Sequence, residues 1–218
     1  MEAILEQLLR SPKFPRWVDE LNEARRQEEV ARAGFRVMVE DEDVRAEFIN
    51  GEVVPHVTSR DQHTTTIRNI SRLLDIFAQL HACGVVRTEQ ALTEFTRNDY
   101  APDICFWGKP KAEKVVPATT VYPVPDLIGE VISPSTVARD RGVKFEDYAA
   151  HGVIEYWIID PERRSIEQYA AREGKYELIA KFENGVIQSV AVTGFKMPVA
   201  AAFDEHANLN ALWAMKPG

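Results

Sequence analysis

The chain has 218 residues, 45% hydrophobic and 28% charged, with a formal net charge of −8. That size and balance fit one globular domain with a sizeable core and an appendage. The acidic total excludes a protein that coats nucleic acid by its overall charge, although a local basic groove can sit on an acidic whole.

In chain order, residues 1–34 read as charged helix. Ile4, Leu5, Leu8 and Leu9 make one apolar stripe, Pro12 and Pro15 interrupt it, and Trp17, Leu21 and Ala24 begin a second, with Gly34 as the expected stop. Glu40 to Asp43 reads as an acidic turn. Val44 to Pro55 reads as a hairpin turning at Asn50-Gly51, two residues that tolerate positive φ. Ile67, Ile70, Leu73, Leu74, Phe77 and Leu80 have helical spacing over 61–82, with Asp61 or Ser59 as the expected cap.

Strands are expected at about 85–94 and 101–107, then a polar loop from Lys109 to Val124 and a strand at 126–132. Ser133-Pro-Ser-Thr136 opens a helix over 138–151 that His151-Gly152 stops. Glu155 to Ile159 is a strand. Hairpin strands follow, turning around Arg172 to Gly174 and again at Asn184-Gly185, and Leu209 to Met215 is a short amphipathic stretch. The order predicts a mixed sheet flanked by helices, in three parts: a charged helical extension over 1–40, a body over 41–203 and a tail over 204–218.

The apolar runs are too short to span a bilayer, and the first residues lack the basic and apolar stretches of a secretory signal. Cys83 and Cys105 are the two cysteines, and Cys105 sits in an apolar strand as a small buried thiol. A reducing cytoplasmic setting without membrane contact is expected.

Two strands carry a carboxylate where apolar residues are expected: Asp103 in Tyr100 to Trp107, and Glu130 in Pro125 to Ser133. A carboxylate buried in a strand must be neutralised, paired or given a cation. Alternation puts Asp103 on one face with Cys105 and Trp107, and Glu130 on one face with Ile128 and Ile132, so paired strands would bring both acids to one edge. Like charges that close repel unless a cation separates them or one of them is protonated. Mg²⁺ fits, being a hard ion that takes one or two protein carboxylates plus water and substrate phosphate. Lys144, in the following helix, can reach back to neutralise charge on a phosphate, and Tyr148 lies one turn further on the same face. Ser133 orients Glu130 or caps the helix. Asp140 can pair with Lys144 across a turn. His63 reads as a helix-start residue, and the other histidines have no companion at zinc spacing. Tyr156 and Trp157 read as sheet packing.

Pro102-Asp103, the run Pro125-Asp-Leu-Ile-Gly-Glu-Val-Ile-Ser-Pro-Ser-Thr136, the trio Asp140, Lys144 and Tyr148, and Gly152-Val-Ile-Glu-Tyr-Trp-Ile-Ile-Asp-Pro161 together resemble the Uma-two family of restriction-endonuclease-like proteins in the PD-(D/E)XK nuclease superfamily. Glu47-Phe-Ile-Asn-Gly-Glu-Val53 and the helix opening at His63 add to the resemblance, which covers roughly residues 44–200. It implies a restriction-endonuclease-like fold of α/β (α+β) type, a mixed sheet flanked by helices. It also implies a bound Mg²⁺ or Mn²⁺ and hydrolysis of phosphodiester bonds in nucleic acid, DNA ahead of RNA. By the same resemblance, Asp103, Glu130 and the carbonyl of Val131 are metal ligands, Glu47 is an additional acid, and Lys144 is the catalytic lysine. The superfamily places that lysine two residues after the glutamate, where this chain has Ile132.

The displaced lysine, the acidic charge and the charged helices also suit a second reading, a non-catalytic binding or assembly module on a nuclease fold. Self-association as a homodimer is expected in either case, through the N-terminal helices and Leu209 to Met215.

Overall fold

The computed structural model describes residues 2–42, 44–56 and 58–215. The chain divides into two compact units, Met1–Pro55 and His56–Gly218.

In the first unit, α1 (Glu2–Leu9) ends before Pro12, and α2 (Phe14–Glu42) begins with Pro15 in its first turn, where a missing N–H costs nothing. Gly34 does not stop α2, contrary to expectation. The next residue, Phe35, is buried with its ring 5.7 Å from that of Phe48, and this packing outweighs the roughly 1 kcal/mol that glycine costs a helix. Glu40 to Glu42 therefore belong to the last turn of α2, while Asp43 lies outside the described residues. Strands β1 (Ala46–Ile49) and β2 (Glu52–Pro55) form the expected hairpin, with Asn50 and Gly51 at φ 52° and 89°.

The second unit opens with α3 (Asp61–Leu80). Arg60 is its N-cap and makes no side-chain cap bond, so neither Ser59 nor Asp61 caps the helix. Ile67, Ile70, Leu73, Leu74 and Phe77 form its buried face. The strand expected over 85–94 is two, β3 (Gly84–Thr88) and β4 (Leu92–Glu94), split where Glu89 turns to φ 41°. Next come β5 (Asp99–Tyr100) and β6 (Ile104–Gly108). The expected loop after β6 contains α4 (Lys109–Ala112) and β7 (Val121–Tyr122). Asp126 fastens this segment, accepting from Gly108 N at 2.7 Å and pairing with Lys111 Nζ at 2.7 Å.

Strand β8 (Leu127–Val131) is wholly buried. The single helix expected after it is two, α5 (Val137–Asp140) and α6 (Val143–Ala150). They break at Gly142, where a Cβ would stand 2.7 Å from the Ala138 carbonyl oxygen. Then follow β9 (Glu155–Asp160), β10 (Ser165–Arg172), β11 (Lys175–Phe182), β12 (Val186–Gln188), β13 (Lys196–Pro198), α7 (Ala200–Phe203) and α8 (Glu205–Ala214).

The main sheet has the order β11-β10-β9-β8-β6-β3. Its β8–β9 pair is parallel, joined through α5 and α6, and its other pairs are antiparallel. β4 pairs antiparallel with β5 and parallel with β7, and β12 pairs with β13. Alternation sorts the main sheet's side chains. Ile104, Phe106, Leu127, Val131, Trp157 and Ile159 join the hydrophobic core with α3, α7 and α8. Cys105, Ile128, Glu130, Tyr156 and Ile158 point to the other face, where Tyr148 of α6 lies 5.4 Å from Tyr156, ring to ring. Among the described residues no helix is long and apolar enough to cross a membrane.

Candidate active site

The β6–β8 register pairs Ile104 with Gly129. Continued by one step, it sets Asp103 across from Glu130, on the sheet face that α6 covers. Glu130 is 3% exposed. Its Oε1 accepts from Lys144 Nζ at 2.9 Å and from Tyr148 OH at 2.8 Å, and its Oε2 lies 3.4 Å from the Asp103 backbone N. Asp103 divides its own oxygens: Oδ2 accepts from Val131 N at 2.7 Å, and Oδ1 stands 3.5 Å from His63 Nε2.

Lys144 is buried. Beyond Glu130, its Nζ lies 3.5 Å from Asp140 Oδ1 and 5.9 Å from the centre of the Tyr100 ring. A buried ammonium is tolerated only with such compensation, since desolvating it alone costs several kcal/mol. The break at Gly142 lets α6 start afresh and aim Lys144 and Tyr148, one turn apart, at the same carboxylate.

His63 comes from the first turn of α3 and Glu89 from the turn after β3, whose N–H donates to the Asp103 carbonyl at 3.3 Å. One ligand atom from each of His63, Glu89 and Asp103 falls within 4.8 Å of the other two. Burial depresses the His63 pKa. The close polar contact with Asp103 and its charge, with the charges of Glu89 and Asp140, outweigh that and hold the imidazole above its ordinary value. The Cys105 thiol is pushed well up, first by burial and then by the charges of Glu130 and Asp103, so it stays a neutral thiol.

Of the residues singled out from sequence, Asp103, Glu130, Lys144, Tyr148 and Asp140 come together here. The Val131 carbonyl leaves the strand on the same side as its N–H, toward Asp103. Ser133 is turned into its own loop: its N–H donates to Thr136 Oγ1 at 3.0 Å and its carbonyl accepts from Val137 N at 3.0 Å, opening α5. Glu47 is buried in β1 of the first unit, opposite Val54 in the hairpin. Sequence reading passed over His63 as a helix start and did not name Glu89. The second carries no sequence signal, because a left-handed turn, not a spacing rule, brings it in.

The chain matches, over residues 32–200, the pattern of a family named Uma2 and described as "Putative restriction endonuclease". It belongs to the Uma2 family. The matched span holds His63, Glu89, Asp103, Glu130, Lys144 and Tyr148, and leaves α1, the first part of α2, nearly all of α7 and the whole of α8 outside. Among solved structures, this Uma2 chain is similar to one from Anabaena variabilis described as "a putative nuclease belonging to DUF820". The TM-score is 0.61 at 14% identity, over 72% of this chain and 89% of that one. At that identity the likeness shows the fold, a nuclease-type mixed α+β architecture. No curated protein matches the chain.

Proposed function

We propose that this protein is a metal-dependent endonuclease that hydrolyses phosphodiester bonds in nucleic acid, DNA ahead of RNA. One observation carries the reading: Asp103, just before β6, and Glu130 of β8 converge within 3.4 Å backbone-to-carboxylate while a buried lysine grips the second acid at 2.9 Å. The donor set suits a divalent cation. Glu89, Asp103, Glu130 and Asp140 outnumber Lys144 and the His63 imidazole, and hard oxygen donors favour Mg²⁺ or Mn²⁺. Asp103, Glu130 and the Val131 carbonyl are the groups that would hold it. When bound, such an ion supplies Lewis acidity and lowers the pKa of a water.

The chain's own residues do the rest. Val131 N–H fixes Asp103 in one rotamer. Lys144 and Tyr148 both donate to Glu130 Oε1, which orients the carboxylate. Lys144 also brings a fixed positive charge to a site where a phosphate gains negative charge on reaction, and in a partly dry pocket that charge counts for more than in water. Cys83 and Cys105 are free thiols, as suits a reducing cytoplasm. The same proposal includes a dimer, to which the exposed Ile4, Leu5, Leu8 and Leu9 of α1 would contribute an apolar stripe. A monomer in light scattering at high concentration would remove the dimer.

The test is cleavage of plasmid and single-stranded DNA with Mg²⁺ or Mn²⁺, comparing wild type with Asp103→Ala and Glu130→Ala. Each variant should lose about a hundredfold or more in rate. A wild type that never cuts, or variants that cut equally well, would sink the mechanism.

A further inference from the structure

We propose that His63, Glu89 and Asp103 form a cation position of mixed nitrogen and oxygen donors, distinct from the Asp103–Glu130 pair, that takes Mn²⁺ in preference to Mg²⁺. The inference rests on the nuclease reading only in sharing Asp103, and its test reads metal binding, not cleavage.

The three donors come from three different segments, α3, the turn after β3 and the approach to β6, and each is held by protein contacts. Asp103 Oδ2 is engaged by Val131 N at 2.7 Å, which turns Oδ1 toward His63. The Glu89 N–H is tied to the Asp103 carbonyl at 3.3 Å, and the φ of 41° at Glu89 sends the chain away from β3 at that point. His63 is placed by the first turn of a helix whose apolar face is buried in the core. None of the three depends on a bound ion for its position.

The spacing suits a shared ion better than it suits direct contact. Two ligands each about 2.1 Å from one ion lie about 3.0 Å apart at right angles and about 4.2 Å apart when opposite. The 3.5 Å between His63 Nε2 and Asp103 Oδ1 falls in that range, and a Glu89 carboxylate oxygen lies within 4.8 Å of a donor atom on each of the two, so a small shift of that side chain completes the set. The 3.5 Å between His63 Nε2 and Asp103 Oδ1 exceeds a good N–H···O bond of about 2.7–3.2 Å. All three residues are half-buried, so the position is reachable from solvent.

The donor types set the preference. Mg²⁺ favours all-oxygen octahedra and gives up water reluctantly, so an imidazole gains it little. Mn²⁺ accepts imidazole nitrogen together with carboxylate oxygen. The competing reading is a plain ion pair between protonated His63 and Asp103, which involves no metal at all.

The deciding experiment titrates the full chain with Mn²⁺ by calorimetry and examines the bound ion by pulsed electron paramagnetic resonance for coupling to ¹⁴N. Wild type should bind Mn²⁺ at least tenfold more tightly than Mg²⁺ and show imidazole nitrogen coupling. His63→Ala should lose the coupling and at least tenfold in Mn²⁺ affinity, and Glu89→Gln should weaken affinity while keeping the coupling. Thermal unfolding confirms that each variant is folded. Glu130→Gln separates the two readings, because it should cut cleavage about a hundredfold yet retain nitrogen-coupled Mn²⁺. Absence of nitrogen coupling in wild type, or unchanged Mn²⁺ affinity in His63→Ala, overturns the proposal and leaves the ion pair. A wild type that holds nitrogen-coupled Mn²⁺ but cuts nothing upholds this position and overturns the nuclease reading.

Discussion

Glu130 and Glu155 stand on neighbouring parallel strands, 3% and 0% exposed, and point to opposite faces of one sheet. On the core face, Glu155 is held entirely by neutral donors. Trp157 Nε1 and Gln168 Nε2 reach its Oε1, both at 2.6 Å, while Ser189 Oγ and the N–H groups of Val190 and Ala191 reach its Oε2. On the α6 face, Glu130 meets a cation, a phenol and the backbone of a second acid. Both arrangements keep a carboxylate out of water at tolerable cost, but to different ends. Five donors saturate the lone pairs of Glu155 and clamp the loop after β12 onto β9 and β10, so that group is a structural rivet. Glu130 is gathered with other charges, and concentrated charge in a partly dry place is what the proposed hydrolysis would draw on.

The sharpest way to break this contrast is to remove Glu155. Glu155→Ala leaves five buried donors without an acceptor, and we expect a loss of about 3 kcal/mol or more. For a protein of this size that is roughly a 6–12 °C fall in melting temperature. Cleavage by the fraction that stays folded should be unchanged. If Glu155→Ala melts within a few degrees of wild type, the rivet reading is wrong.

Next comes Glu130→Gln, which keeps an oxygen for Lys144 and Tyr148 while removing the charge. Cleavage should fall about a hundredfold, with a melting temperature nearer to wild type than that of Glu155→Ala, because sites built for function are often relieved by neutralisation. Equal thermal losses in both variants would erase the distinction between the two faces. Lys144→Met belongs to the same comparison and should cost cleavage about tenfold or more. Lys144→Arg should not restore it, since a planar guanidinium cannot replace a compact ammonium between Glu130 and Asp140.

The contrast also shows how far the sequence could be read. A carboxylate inside an apolar strand is a strong signal, and it located Asp103 and Glu130. The same signal is present at Glu155, which the sequence reading places only as the first residue of a strand whose Tyr156 and Trp157 pack on the sheet. What told the two glutamates apart was the donors that reach them from other segments, and these follow from tertiary arrangement: Gln168 from the next strand, Ser189 from beyond β12. Hydrophobic period and turn chemistry located α3, the Asn50-Gly51 hairpin, β6, β8 and β9. Short elements escaped where local signals were weak. The two-residue strand β7 exists only through its partner β4, and the α5–α6 break depends on how closely Gly142 approaches Ala138. Gly34 misled in the opposite direction, since one well-packed phenylalanine outweighs one glycine.

The smallest effect concerns what anchors that break to the sheet. Arg141, between α5 and α6, donates to Glu167 Oε2 of β10 at 2.7 Å, and Tyr169 OH and Lys181 also reach Glu167. The hydrogen bond from Arg141 is the largest influence on Glu167 and, aided by Tyr169 and Lys181 against a smaller effect of burial, lowers its pKa from 4.5 to about 2. A carboxylate whose folded pKa lies below its unfolded value stabilises the fold fully above the unfolded value and loses that contribution as pH falls through the folded one. The stability supplied by Glu167 should therefore be constant above about pH 4.5 and drain away toward about pH 2. Arg141 is partly exposed, so solvent screening keeps the contribution small. Glu167→Gln should melt a few degrees below wild type at pH 7, and the gap should close between pH 4.5 and 2 in parallel thermal scans. A gap that stays constant across that window would mean the pair does not hold the α5–α6 junction through charge. The site's lysine would then owe its position to its own contacts with Glu130 and Asp140 and to the aromatic packing of α6 on Tyr156.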